Sequence, residues 1–333
     1  MSDKDDSTSR TIDEEMKRIA AVACEVIGVE HISPQDNFFD LGADSFDAIR
    51  MLSRLGGDMP VVSIFEHPTV EQLAHYLLSN IRREVKVISL QESTVGGSIA
   101  VIGVPYGGGD PTAYREMFFE HQNVSVFGVD FGNFEMDKAS DFQSLVNTII
   151  QEIKRIDADH YIIYGHCAGA ATAACIASAA ASTLRPVTLV VAASKPIADP
   201  DAAWQEAETT SNDEWSQYLR SLGAFTGLSD WEISGMLGRG RRDHRIAVEA
   251  YRTLSQFPAR GVPALVLLGS EDPATAYPEE VVSQWSKYID MAESASVSGG
   301  GHYFLRTHAK EVADLVLSFS SKNRKELYNG HLY

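Results

Sequence analysis

Cysteine is scarce in this chain: Cys24, Cys167 and Cys175 are the three in 333 residues. They are too few and too scattered for a disulfide framework, a usage that fits a reducing, cytoplasmic setting. Positive charge is also in deficit, with 28 Lys and Arg against 46 Asp and Glu and a net charge of −18. No basic patch stands out to neutralise phosphates, so neither nucleic acid nor an anionic membrane face is expected as a partner. Long apolar runs are missing as well: no stretch approaches the roughly 20 residues of a membrane helix. Met1-Ser2-Asp3-Lys4-Asp5-Asp6 lacks the apolar core of a signal peptide. No His or Cys spacing resembles a metal site, and no repeat or low-complexity tract is evident. What is there is an ordinary globular composition, 44% hydrophobic, in a length that predicts two domains.

The first domain is expected over residues 1–83. Ile12, Met16, Ile19, Ala20, Ala23 and Ile27 recur at helical spacing, behind Thr11 and the acidic Asp13, Glu14 and Glu15 that a helix N-terminus prefers. A loop leads to Asp36-Asn37-Phe38-Phe39-Asp40-Leu41-Gly42-Ala43-Asp44-Ser45-Phe46-Asp47-Ala48-Ile49-Arg50, in which Ser45 opens a second helix. A serine there has an ordinary reading as a helix N-cap. The residues around it, however, resemble the attachment site of phosphopantetheinyl carrier domains. Downstream, Ile64-Phe65-Glu66-His67-Pro68-Thr69-Val70-Glu71-Gln72-Leu73-Ala74 looks like the start of the fourth helix in the carriers of nonribosomal peptide synthetases.

That resemblance implies a small all-α four-helix carrier of the peptidyl type, with 4′-phosphopantetheine on Ser45 and Asp44 beside it. A phosphopantetheinyl transferase is then an implied partner. Asp40, Asp44 and Asp47 are either solvated loop charge or an attraction for that transferase. The connection Arg54-Leu55-Gly56-Gly57-Asp58-Met59-Pro60 is shorter than the family's usual link between the second and third helices. It leaves the attachment chemistry untouched and the usual docking surface in question.

The second domain is expected over residues 84–333. The carrier's last helix should end near Arg82-Arg83, and Val85-Lys86-Val87-Ile88-Ser89-Leu90 already alternates like a strand, so the linker is only a few residues long. Further strands are predicted at Ile99 to Val104, Val124 to Val129, Tyr161 to Tyr164, Val187 to Ala192 and Val262 to Leu268, with a helix over Phe142 to Ile156. Strands alternating with helices predict an α/β fold, a mostly parallel sheet with helices on both faces.

The strand Tyr161-Ile162-Ile163-Tyr164 runs into Gly165-His166-Cys167-Ala168-Gly169, and an alanine-rich helix pattern follows to Ala181. Strand, sharp turn and helix are the setting of a nucleophile elbow, here with a thiol in place of the usual hydroxyl. A small buried cysteine is the competing reading. A cysteine nucleophile needs a base, and the base an orienting acid. Asp272 lies in Gly269-Ser270-Glu271-Asp272-Pro273 at a strand's end, and His302 follows three glycines in Ser298-Gly299-Gly300-Gly301-His302. Asp272 alone could be an ordinary Asp-Pro turn, and Glu271 is expected to face solvent. His166 is expected to pack, and His308 to lie on the following helix. Pro105-Tyr106-Gly107-Gly108-Gly109-Asp110-Pro111 after an early strand is placed to give one oxyanion-hole N–H, at Gly107, with Ala168 giving the other. No Lys-Ser/Thr pair follows, so the loop is no phosphate cradle.

Together these segments, from about Val85 to Lys322, resemble the thioesterases that accompany nonribosomal peptide and polyketide synthases, nearer to the type II editing enzymes than to cyclising domains. Asp213-Glu214-Trp215 to Tyr251, with Arg241, Arg242 and Asp243, resembles their helical lid, expected over about residues 199–260. Trp204, Trp215, Phe225 and Trp231 in that stretch either cover an acyl pocket or form the lid's own core. Two departures from the family stand out: Tyr106 replaces a histidine and Cys167 a serine. The resemblance implies an α/β-hydrolase with a Cys167, His302 and Asp272 triad acting on small acyl or aminoacyl groups held by carriers. A thiol nucleophile keeps the bound group a thioester, so water, an intramolecular nucleophile or a second carrier thiol are all open as acceptors. Cysteine aminoacyltransferases of this fold support transfer, and carrier followed by thioesterase is the usual terminus of an assembly line, which supports release. Other synthetase modules or carrier domains are the implied partners. A docking module without catalysis is the reading from a different class.

Overall fold

The computed structural model describes residues 11–43, 45–55, 64, 67–81, 85–93, 99–109, 111–132, 134, 136, 139–184, 186–224 and 230–329. The chain divides into two compact units, Met1–Glu84 and Val85–Tyr333.

The first unit is helical. Helix α1 (Ile12–Ile27) starts at a capping box, in which the Thr11 side chain accepts from the Glu14 N–H and Glu14 reaches back to the Thr11 N–H. It stops at Gly28, whose φ of 82° is left-handed backbone. Ile19 and Ala23 are fully buried where α1 packs on α2 (Ser45–Leu55) and α3 (Val70–Ile81). Met51, Leu73 and Ala74 complete this core, each side chain of Leu size worth about 1.5–3 kcal/mol when removed from water. The loop run from Asn37 to Asp40 is structural: Phe38 is fully buried, its N–H donates to Pro68 O at 2.9 Å, and Asn37 pairs with Thr69. The last helix begins at Val70, inside the segment 64–74 read as its start. Pro68 interrupts the pattern, and the Thr69 hydroxyl accepts from the Gln72 N–H at 3.2 Å. Between Leu55 and His67 only Ile64 is described, and it is helical and buried. The connection 56–60 and Arg82-Arg83 lie outside the described residues.

The second unit is built on a seven-stranded sheet in the order β1-β3-β2-β4-β5-β6-β7. The strands are β1 (Lys86–Gln91), β2 (Ile99–Val104), β3 (Val124–Asp130), β4 (His160–His166), β5 (Val187–Ala192), β6 (Ala259–Gly269) and β7 (Ile289–Val297). Among the described residues only β1 of these strands runs antiparallel, against β3, and the other pairings of the sheet are parallel. Side chains alternate between two cores. Ala100, Ile102 and Val104 of β2 face α5 (Ala139–Ile153) and α6 (Gly169–Ala181), while Val101 faces α4 (Ala113–Phe118) and α12 (Ala309–Asn329). Helices thus cover both faces, as a parallel sheet requires.

Two boundaries differ from the apolar pattern, each for a local reason. Helix α5 ends at Ile153 because Arg155 and Ile156 turn back on Glu152 and Ile153 in single tight turns. Strand β6 begins three residues before its apolar run because Asp290 of β7 accepts from the Gly261 N–H at 2.6 Å and from Arg260 at 3.0 Å.

Between β5 and β6 the chain makes three helices, α7 (Pro200–Thr209), α8 (Asn212–Ser221) and α9 (Asp230–Gln256). Arg241 of α9 ties them, donating to Ala207 O at 2.9 Å, Thr210 O at 2.5 Å and Asn212 Oδ1 at 3.0 Å. Trp215 packs with Leu219, Ile233 and Leu237 in a small separate core, and Trp204 packs on the main core beneath Arg245 and Arg252. Phe225 and the Trp231 side chain lie outside the described residues.

Candidate active site

The elbow forms because its flanking positions have no room for a side chain. A Cβ on Gly165 would sit 2.4 Å from Gly169 O, and one on Gly169 would sit 2.4 Å from Val104 O. Helix α6 therefore lies directly on β4 and the end of β2, and its run of alanines is buried on nearly every side. Cys167 between the glycines has a φ of 51°, left-handed backbone that a residue with a Cβ rarely adopts. Its N–H donates to Ala192 O at 2.8 Å, anchoring the turn on β5. Strain held by such surroundings is characteristic of reactive positions.

His302 and Asp272 meet here from two other loops. The imidazole Nδ1 lies 3.0 Å from both Asp272 oxygens, and both side chains are almost completely buried. Asp272 also accepts from the Ala274 N–H at 2.9 Å and the Thr275 hydroxyl at 3.0 Å, so its orientation is fixed by three donors. Burial works against its charge, but the His302 imidazole and these hydrogen bonds outweigh it and hold the carboxyl below its ordinary range. Glu271 beside it is exposed. His302 Nε2 is buried without a well-directed hydrogen bond, and Cys167 acts on the ring mainly through charge. Burial alone would depress this imidazole; the Cys167 charge and the Asp272 hydrogen bond lift it to about 10.

The sign of that shift sets a pH dependence. A histidine raised from 6.5 to about 10 contributes stability that is complete below pH 6.5 and is lost as pH rises through 10. Thermal melts between pH 7 and 10 should therefore fall more steeply for the parent chain than for Cys167→Ala, which lacks the strongest of the raising influences. Equal slopes would contradict this.

His166, adjacent to the thiol, points away from it into the core. Its ring is fully buried between Tyr106, Tyr164 and Phe304, and its Nε2 lies 2.8 Å from the backbone oxygen of His302. Burial holds it neutral, pressing its pKa down to about 3, so Nε2–H donates to that oxygen and pins the His302 loop. His308 falls in the turn between α11 (Phe304–Thr307) and α12, not on either helix.

The glycine-rich loop after β2 sorts its three amides. The Gly108 N–H donates to Asp243 Oδ2 at 2.9 Å and the Gly109 N–H to Tyr106 O at 2.7 Å. The N–H groups of Gly107 and Ala168 donate to nothing among the described residues, and a Cβ on Gly107 would lie 3.6 Å from that of Ala168. The two residues thus lie close together, and open amides are what an oxyanion needs. Tyr106 is buried edge-on to Tyr303 and His166.

Among the described residues no group of three or more His, Cys, Asp or Glu could hold a metal ion, and no helix is long and apolar enough to cross a membrane. In the first unit Ser45 is the first residue of α2, following Gly42 with its left-handed φ of 102°. A phosphodiester fits there, because the open amides at the start of an 11-residue helix favour an anion. Asp44 and the Ser45 side chain lie outside the described residues.

Residues 17–77 match the family described as "Phosphopantetheine attachment site", and residues 100–319 match that described as "Thioesterase domain". The cofactor of the former is covalently attached 4′-phosphopantetheine. Indigoidine synthase of Streptomyces lavendulae is 29% identical over 168 residues, 47% of this chain and 13% of that protein. Tyrocidine synthase 2 of Brevibacillus parabrevis is 33% identical over 86 residues, 25% of this chain and 2% of that protein. The chain thus spans only a small part of these relatives. Among solved structures, the type II thioesterase BorB from the borrelidin biosynthetic cluster superimposes with a TM-score of 0.54 at 20% identity, covering 70% of this chain and 97% of that one. YbtT, a type II thioesterase from the yersiniabactin NRPS/PKS pathway, gives 0.55 at 17% identity, covering 71% and 98%. These likenesses fix the larger unit's fold as that of the α/β-hydrolase thioesterases. With the match extending over residues 100–319, the chain belongs to the thioesterase domain family, and it carries a phosphopantetheine attachment domain ahead of that fold.

Proposed function

We propose that Cys167 takes an aminoacyl or peptidyl group from a carrier-bound thioester and releases it by hydrolysis or cyclisation, as a thioesterase of natural-product assembly. The continuity of Cys167, His302 and Asp272 at a strained elbow, beside the unengaged amides of Gly107 and Ala168, carries this reading. His302 Nε2 accepts the Sγ proton, and the thiolate adds to the carbonyl carbon of the thioester. The carbonyl electron pair moves to oxygen, where the Gly107 and Ala168 N–H groups meet it, each donor worth about 3 kcal/mol. Collapse re-forms the carbonyl, breaks the substrate's C–S bond, and returns the proton from His302 to the departing thiol. Asp272 keeps the other imidazole proton on Nδ1. Attack by water or an internal nucleophile on the acylated Cys167 then repeats the steps with His302 as base.

Residues 1–83 serve in this reading as the carrier, with Ser45 as the attachment residue, and residues 84–333 as the thioesterase, with its lid over about 199–260. The bound cofactor supplies a thiol that holds an acyl group as a thioester. A phosphopantetheinyl transferase and other synthetase modules or carriers are the partners. The likeness to indigoidine and tyrocidine synthases supports a nonribosomal peptide setting. The sulfur itself favours a second reading, transfer to another carrier thiol, because exchanging one thioester for another is nearly neutral in free energy.

Incubating the chain with an aminoacyl thioester and mapping its peptides by mass spectrometry tests the proposal. The acyl mass is expected on the Cys167 peptide, followed by free acid, cyclised product or acylated second carrier. An unlabelled Cys167 peptide, with no turnover, would leave the docking-module reading in its place.

A further inference from the structure

Asp243 is a buried carboxylate, 4% exposed, that the reaction above does not use. It sits on α9, the long lid helix, and reaches one strand-end loop of the sheet directly and a second through Arg242. Oδ2 accepts from the Gly108 N–H at 2.9 Å, across 135 residues of sequence. Oδ1 accepts from Nε and Nη2 of Arg242 at 3.0 and 2.9 Å, and Arg242 Nη1 donates to Gly132 O at 2.5 Å, in the loop after β3. Burial raises its carboxyl above the ordinary range, against the pull of Arg242 and the Gly108 N–H.

The same face of α9 touches the loop at two more points. A Cβ on Gly108, whose φ is +72°, would lie 2.3 Å from Met236 O, and one on Gly107 would lie 3.6 Å from Gly240 O. Met236, Gly240 and Asp243 are spaced four and three apart, so they form one stripe of the helix. The stripe takes up one amide, Gly108, and leaves its neighbour Gly107 unengaged beside Ala168.

We propose that Asp243, braced by Arg242, is a positioning residue that clamps the Gly107-Gly108 loop so that the Gly107 N–H is aimed at the developing oxyanion; this rests on the function proposed above. The clamp makes the lid helix part of the oxyanion hole. Its loss would leave Cys167, His302 and Asp272 in place while releasing one of the two donors. Removing such a donor outright slows a hydrolase about 100- to 1,000-fold, so a donor that is present but unaimed should cost about ten- to a hundredfold.

The test compares Asp243→Asn, which keeps shape and an acceptor oxygen but loses the charge, with the parent chain. Three readouts are needed: acylation of Cys167 by an acyl N-acetylcysteamine thioester, alkylation of Cys167 by iodoacetamide, and hydrogen exchange of the Gly107 and Gly108 amides. Alkylation needs the thiolate but forms no oxyanion. Saturated acylation should fall about ten- to a hundredfold with KM within about twofold and alkylation unchanged within about twofold. Acylation at the parent rate, or alkylation falling by the same factor as acylation, would overturn the clamp. Should the variant not fold, the parent chain still decides: Gly108 must exchange far more slowly than Gly107, and equal exchange refutes the clamp. A folded parent that accepts no acyl group would overturn the function instead, with Gly108 exchange judging the clamp alone.

Discussion

Cys167→Ala should abolish acylation of the chain, and His302→Ala should do nearly the same damage, each slowing the step by about 10⁵-fold or more. Both changes remove a group that participates in the bond-making itself. Without the sulfur no covalent intermediate can form; without Nε2 the thiol has no acceptor for its proton within the buried site. Asp272→Asn should be milder, about 10³- to 10⁴-fold, because Asp272 orients the ring and stabilises its positive form without touching the substrate. The Ala274 and Thr275 donors that now converge on Asp272 would have to be met by an amide, one end of which repels them. Combining His302→Ala with Asp272→Asn should add little to the loss from His302→Ala alone, since Asp272 acts through the imidazole. Single-turnover acylation, followed on the Cys167 or corresponding peptide, measures all of this. Additive losses from the His302 and Asp272 changes would mean that the two do not cooperate and that the triad assignment is wrong.

Gly169→Val is expected to have the largest effect on the fold itself. Its Cβ would lie 2.4 Å from Val104 O and 2.5 Å from Pro105 O, and both obstacles are backbone at the end of a central strand. Neither can turn aside as a side chain would. Helix α6 would have to lift from the sheet, opening the packing of Ala170, Ala173 and Ala174, all fully buried. A destabilisation of about 3 kcal/mol or more is expected, in the range of severe overpacking. In a unit of this size that should lower the melting temperature by about 6–12 °C. Gly261→Ala provides the contrast: nothing lies within 4 Å of its Cβ, and only its φ of +76° is unfavourable. It should cost about 1 kcal/mol. Equal melting temperatures for the two variants would remove steric contact as the explanation of the elbow's glycines.

Much of the site was legible because its cues are local. Strand, Gly-x-Cys-x-Gly and an alanine run are contiguous, so the elbow at Cys167 could be read from a dozen residues. Asp272 and His302 each follow a strand-end loop whose glycines signal close backbone approach. What could not be read is what depends on distant partners. Gly107, Gly108 and Gly109 are identical letters, and only their separate acceptors, Asp243 for one and Tyr106 for another, distinguish them. His166 gave no sign that it pins His302, because its acceptor is a backbone oxygen 136 residues away. Asp243 was visible as part of a resemblance to a lid, with no role attached.

The placement of the lid between β5 and β6 has an engineering consequence. These strands pair directly, Leu189 with Ala264 through Ala192 with Leu267, so the sheet closes whatever lies between them. The intervening helices are in this sense an exchangeable cassette, free to change without disturbing the pairing of these strands. Asp243 limits that freedom. A transplanted segment would bring new helices, but unless it also brought a carboxylate to Gly108 it would leave that amide without its acceptor.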